Sequence, residues 1–248
     1  MKKWKVLGVI LAFFLLGLGF FLPRFIQTEK DEALKKEILV VDDASDEDVS
    51  EQEIEIDFEK LQKINPDVYA WITIPGTSID YPVLQAGDSK DEDYYLKHDV
   101  YGASDVHGCI YSQKCNSKDF SDPVTVLYGH NMRDGSMFQQ LHKYADESYF
   151  DKNSYIEVYT PEVKRVYQVV AAYTMPAELI LDKWNGCTEP IDMFNYIQEI
   201  KSCNGIYNGN IELSADSHIL TLCTCSGDES IRFVVQGVFV DFSKREEN

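Results

Sequence analysis

Hydrophobic positions along the chain fall into three regimes. In the first, seventeen uncharged residues follow Lys2, Lys3 and Lys5, run from Val6 to Leu22 and stop at Pro23-Arg24. That length sits at the lower edge of the roughly 17–25 apolar residues with which a helix crosses about 30 Å of hydrocarbon. The run has no polar face, is longer than the ~7–15 apolar residues usual in a cleaved signal peptide, and is not followed by a small-x-small cleavage site. It predicts an uncleaved membrane anchor in residues 1–27. The preceding lysines place the N-terminus in the cytoplasm and the remainder outside the cell, a single-pass protein of the cell membrane.

The second regime, residues 28–56, combines high charge with almost no aromatic residues and reads as an acidic flexible linker that cannot bury enough apolar surface to offset its ordering entropy. The third starts near Asp57 and continues to residue 248. Phe58, Leu61, Ile64 and Val68 recur at helical spacing, with Asn65-Pro66 as a break, which predicts a short helical hairpin. From Trp71 the period drops to two. WITIPG and SIDYPVLQ are followed by GCIYS, PVTVLYGH, YIEVYT, KRVYQVVAAYTM, HILTLCTC and IRFVVQGVFVDF, each bounded by turn formers. Many short strands of this kind predict a mainly β domain, a barrel or a sandwich. Two helical stretches interrupt them: Met137 to Ala145, and Ile191 to Ser202, where Ile191, Phe194, Ile197 and Ile200 are spaced as a core-facing stripe.

Charge sharpens this division. The formal charge is −19, but Thr28 to Glu59 alone carries 14 acidic and 3 basic residues, a local −11; residues 1–27 carry +4, and everything from Lys60 onward about −12. No basic stripe remains to meet phosphates, so nucleic acid is excluded as a partner. The six cysteines are unevenly spaced. Reserving one as a working thiol leaves an odd number, with Cys109–Cys115 and Cys187–Cys203 the nearest candidate pairs. Without CxxC pairs or histidine clusters, no metal site and no cofactor are expected.

Three residues at predicted strand ends could carry chemistry. Cys225 closes HILTLCTC before the turn Ser226-Gly227-Asp228, His130 ends VLYGH before Asn131, and Arg232 opens the strand after Cys225. Singly, each has an ordinary structural reading: a buried small apolar residue, a turn-capping imidazole, a surface strand charge. Together they are what thiol acyl transfer requires. A thiol with a pKa near 8.5 needs an imidazole or cation to supply thiolate, the imidazole can then protonate a departing amine, and a guanidinium or a backbone N–H such as that of Ser226 can face the oxyanion.

The stretch TLCTC (Thr221 to Cys225) resembles the TLxTC motif of sortases, and the order histidine, cysteine, arginine is similar to theirs. Asp57 to Gln85, Asp93 to Gly102 and LYGHNMRDGSMFQQLHKY (Leu127 to Tyr144) resemble class B members, so the likeness covers about Asp57 to Phe242. The resemblance implies a closed sortase-type β-barrel of about eight strands, with N-terminal helices and an extra helix, Ile191 to Ser202, before the cysteine strand. It implies a cysteine transpeptidase: Cys225 attacks the Thr carbonyl of a C-terminal sorting signal on a secreted protein, His130 is acid and base, and Arg232 holds substrate and oxyanion. The acyl group then passes to a peptidoglycan precursor amine of a Gram-positive cell wall. Leu96, Tyr128, Thr221 and Thr224 fall in motifs near the family's substrate groove. Two features depart from the pattern: Cys223 occupies the variable position of TLxTC, and Gln113 stands where many class B members have an acid. The alternatives are a pilus-polymerising sortase, whose usual second C-terminal span and lid are absent here, a secreted cysteine hydrolase of peptidoglycan, in which cysteine usually precedes histidine, and a non-catalytic binding module.

Overall fold

The computed structural model describes residues 27–38, 56–178, 180–184 and 189–240. Two helices lead in: α1 (residues 27–38) and α2 (Phe58–Ile64), whose N-cap Asp57 accepts a hydrogen bond from the Lys60 N–H at 2.9 Å. Nine strands follow: β1 (Val68–Thr73), β2 (Asp80–Gln85), β3 (Ile110–Ser112), β4 (Val124–Tyr128), β5 (Tyr155–Tyr159), β6 (Lys164–Pro176), β7 (Gly205–Tyr207), β8 (Ile219–Cys225) and β9 (Ile231–Val240). The sheet order is β5-β1-β2-β3-β4-β8-β9-β6-β7, and an added β5–β6 pairing closes the first eight strands into a barrel with β7 outside the ring. Closure removes the exposed edges an open sheet would leave.

Alternation along each strand divides the apolar residues between two sides of the barrel wall. Leu220, Leu222 and Phe233 point into the interior with Ile72, Val83, Ile110, Leu127 and Phe138. On the outer face, Ile219, Cys223 and Val234 lie under two helices, α4 (Ile180–Trp184) and α5 (Pro190–Lys201). A third cluster joins Leu34 and Ile38 of α1 to Leu61, Trp71 and Tyr95. Between β4 and β5 run a 3-10 helix (Phe138–Ala145) and α3 (Glu147–Lys152); a shorter 3-10 turn, Tyr94–Leu96, precedes β3.

Several expectations are corrected. All eight strand segments read from the sequence form strands, but β7 was not anticipated: GIY is three residues long between asparagines, too short for a periodicity. The hairpin is a single helix, because Val68 belongs to β1. In α5 the buried stripe is Met193, Tyr196, Ile197 and Ile200, so Ile191 and Phe194 fall on the exposed face. Of the segment expected to be a flexible linker, residues 28–38 are helical, with Leu34 and Ile38 buried against the barrel and Lys30 and Lys35 paired with Asp105 and Asp80 at 2.6 and 2.7 Å. Burying two such side chains supplies roughly 1.5–3 kcal/mol each, which meets part of the ordering cost of about 1–2 kcal/mol per residue.

Cys109 and Cys115 are both unpaired: Cys109 directly precedes β3 and Cys115 lies in the turn after it; Cys109 is buried and donates to the His98 carbonyl at 3.3 Å. Cys203 is also a free thiol, and Cys187 lies outside the described residues. The single-pass membrane placement is corrected too. Among the described residues no helix is long and apolar enough to cross a membrane. The longest, residues 27–38 and Pro190–Lys201, have twelve residues, about 18 Å at 1.5 Å per residue. The run Val6 to Leu22 lies outside the described residues.

Candidate active site

The three residues singled out for chemistry are 95 and 7 positions apart in sequence, and strand register brings them together. Strand β4 runs parallel to β8 with Tyr128 opposite Cys223, and β8 runs antiparallel to β9 with Cys225 opposite Arg232. His130 lies two residues beyond Tyr128 and Cys225 two beyond Cys223, so both reach the same barrel rim. The Gly129 N–H extends the β4–β8 ladder by donating to the Cys223 carbonyl at 3.2 Å. Glycine is required there, since an added Cβ would lie 2.5 Å from Ile110 Cδ1 and 2.7 Å from Phe138 Cδ2.

His130 Nε2 is 2.7 Å from the Leu96 carbonyl oxygen. A carbonyl offers only lone pairs, so Nε2 carries the proton and Nδ1 is the nitrogen free to accept one. The His130 carbonyl in turn accepts from the Phe138 N–H at 2.9 Å. The imidazole is thereby held from both its ring and its backbone. His130, Cys225 and Arg232 line one cleft of about 900 Å³, including its solvent-open part, together with Leu96, Tyr128, Thr224, Cys223 and Gln113. Glu92 and Asp93 line it as well.

Its walls are mostly neutral and apolar. Tyr111 and Tyr128 stack with ring centroids 5.6 Å apart. Burial pushes the Tyr111 phenol up to about 12 and raises that of Tyr128 as well. Both therefore stay protonated, and the Tyr128 hydroxyl donates to Gln113 Oε1 at 2.9 Å. Gln113 is thus a hydrogen-bond acceptor for a wall residue rather than a charge. The two neighbouring thiols differ. Cys223 is 3% exposed, and burial pushes its thiol up to about 12, against a smaller lowering by Arg232. Cys225 is half-buried at the rim. The Arg232 guanidinium is held by the carbonyls of Glu229 at 2.8 Å and Ile231 at 3.2 Å.

Two other sequence-selected residues sit elsewhere. Thr221 has the same strand parity as Cys223 and Cys225, but lies deeper under α5. It is fully buried, with its hydroxyl 3.2 Å from the Tyr196 hydroxyl and 3.1 Å from Gln236 Nε2. Ser226 is not among the cleft-lining residues, and its N–H donates to the Ile231 carbonyl at 3.3 Å to close the β8–β9 turn. That N–H is committed, so of the two candidates for facing an oxyanion Arg232 remains. Conversely, two residues that sequence reading did not select touch the site: Asn131 Nδ2 and His142 Nε2 lie 2.9 and 3.0 Å from the Cys225 carbonyl oxygen. Among the described residues no group of three or more His, Cys, Asp or Glu is placed to hold a metal ion.

A thiol, an imidazole with a free basic nitrogen and a guanidinium on one groove form a set suited to acyl transfer through a thioester. Comparison with known proteins agrees with that chemistry. A model of the Sortase domain matches residues 72–240. Sortase B of Listeria monocytogenes is 34% identical over 246 residues, covering 95% of this chain and 94% of that protein. The sortase B of B. anthracis in complex with AAEK1 superposes with a TM-score of 0.73 at 28% identity, covering 89% of this chain and 99% of that one. The Staphylococcus aureus sortase B–substrate complex does so with a TM-score of 0.67 at 30% identity over 75% of this chain and 85% of that one.

Proposed function

The chain belongs to the sortases, class B, a family of cysteine transpeptidases, and from that premise we propose that it cleaves a C-terminal sorting signal of secreted proteins after threonine and joins the acyl group to a cell-wall amine. The observation that carries this reading is the register that brings Cys225, His130 and Arg232 to one cleft from three different strand ends. Cys225 Sγ attacks the threonine carbonyl, and its proton passes to His130 Nδ1. The carbonyl oxygen becomes an oxyanion facing the Arg232 guanidinium, a contribution worth a few kcal/mol at such a site. Collapse of this intermediate breaks the C–N bond as His130 returns the proton to the departing amine, leaving a thioester on Cys225. An incoming amine then attacks that thioester, His130 takes its proton, and the sulfur leaves to restore the free thiol.

Leu96, Tyr128 and Thr224 are the cleft residues we assign to substrate contact. A relative's solved structure, the Staphylococcus aureus sortase B–substrate complex, supports a peptide as the occupant of such a groove. The test is a library of threonine-containing peptides incubated with and without an amine acceptor. Transpeptidation predicts an amide-linked product that grows with amine concentration. Hydrolysis at the same rate with no amide product at any amine concentration would establish a hydrolase instead, and turnover by Cys225→Ala would remove the nucleophile assignment.

A further inference from the structure

The carbonyl groups of Cys223 and Cys225 point to the same side of β8, towards β4, because carbonyls two residues apart in a strand share a side. Cys223 is served by the Gly129 backbone N–H at 3.2 Å. At Cys225, β4 has already ended at Tyr128, so no ladder N–H remains for its carbonyl. Its place is taken by two side chains: Asn131 Nδ2 at 2.9 Å and His142 Nε2 at 3.0 Å.

Both come from the segment that carries His130. Asn131 is its next residue. The loop beyond it closes through an isolated bridge between Asn131 and Met137, and the 3-10 helix Phe138–Ala145 then begins with the Phe138 N–H on the His130 carbonyl. One turn along, that helix returns His142 to the end of β8, where its ring packs against Phe233 with centroids 4.8 Å apart. Phe233 is itself buried in β9 opposite Thr224, so the imidazole is held by the strand pair it contacts.

From this we propose that His142 and Asn131 are positioning residues, which continue the β4–β8 ladder with side chains and so fix the distance between the sulfur of Cys225 and the imidazole of His130. The inference rests on the reading of Cys225 and His130 given above. A half-buried strand end that has lost its ladder partner would otherwise fray, and catalysis is sensitive to misplacement of this kind, about 100-fold for 1 Å. Neither side chain needs to touch substrate.

The test compares His142→Phe, which keeps the ring on Phe233 and removes the donor, with His142→Gln, whose amide nitrogen can occupy the position of Nε2. Thermal melting checks that both are folded. We expect His142→Phe to lower kcat on the order of 10- to 100-fold with KM within about threefold, and His142→Gln to recover most of that loss. Iodoacetamide alkylation of the Cys225-containing peptide at one fixed pH, followed by mass spectrometry, reads the same change without substrate: the rate falls in His142→Phe and is restored in His142→Gln. Folded His142→Phe with undiminished kcat and an undiminished alkylation rate overturns the inference. So does His142→Gln as impaired as His142→Phe. Cys225→Ala serves as the separate arm: if it still turns over, the nucleophile assignment fails, whereas an inactive Cys225→Ala beside a fully active His142→Phe removes only the positioning role.

Discussion

Gly129→Ala places one methyl group where the structure has no room for it, directly before His130. The added Cβ would stand 2.5 Å from Ile110 Cδ1 and 2.7 and 2.8 Å from two ring carbons of Phe138, whereas ordinary contact begins at 3.4 Å. Neighbours must therefore retreat by roughly 0.6–0.9 Å. The end of the Ile110 side chain can rotate, but the Phe138 ring is fully buried and its backbone N–H is bound to the His130 carbonyl at 2.9 Å. Displacing that ring displaces the imidazole. Overpacking of this kind costs about 1–3 kcal/mol, or about 2–12 °C in Tm for a domain of this size. Misplacing His130 by part of an ångström lowers kcat by about 10- to 100-fold. Differential scanning calorimetry and steady-state peptide cleavage read the two effects separately. A wild-type Tm and kcat would refute the crowding argument, and a lowered Tm with unchanged kcat would refute the coupling of Phe138 to His130.

Three further outcomes follow from other parts of the structure. Burial raises the Asp31 carboxyl from 3.8 to about 6, with the Gln27 amide opposing; since the folded state holds this proton more tightly, the associated stability is complete below pH 3.8 and is lost as pH rises through about 6. Asp31→Asn should thus raise Tm at pH 7 and leave it unchanged near pH 3.5, and equal shifts at both pH values would contradict the assignment. Thr221→Val removes a hydroxyl shared by Tyr196 and Gln236, and is expected to cost about 1–3 kcal/mol by denaturant titration without changing KM; a KM effect in a protein of undiminished stability would return Thr221 to the groove. At pH 8, iodoacetamide should modify Cys225 well before Cys223, whose burial pushes its thiol up to about 12; peptide mapping that finds Cys223 labelled first would contradict this.

What the sequence made legible was whatever leaves a local trace. Period-two alternation located β1 to β6, β8 and β9, and the position of Cys225 between an alternating strand and a Ser-Gly-Asp turn marked a rim. The motif was informative but incomplete: the resemblance of TLCTC put Thr221 near the groove without revealing that α5 covers it. In α5 itself the two candidate stripes share Ile197 and Ile200 and differ only in which neighbours complete them, so only contact with β8 and β9 decides between them. Helix α1 was hidden because two buried residues, Leu34 and Ile38, hold it within an otherwise charged segment. The roles of Asn131 and His142 depend on where β4 stops relative to β8, a register that no periodicity encodes. The same holds for Ser226, whose N–H is consumed by a turn.

The central claim is that a peptide acyl group becomes bonded to the sulfur of Cys225. Intact-mass spectrometry after brief mixing with a threonine-containing sorting peptide, in the absence of amine, measures this directly. The account predicts an adduct of the acyl fragment's mass, mapped to the peptide containing Cys225, released by hydroxylamine and absent from Cys225→Ala. Cleavage of the peptide with no adduct at any time point, or an adduct mapped to another residue, would contradict it.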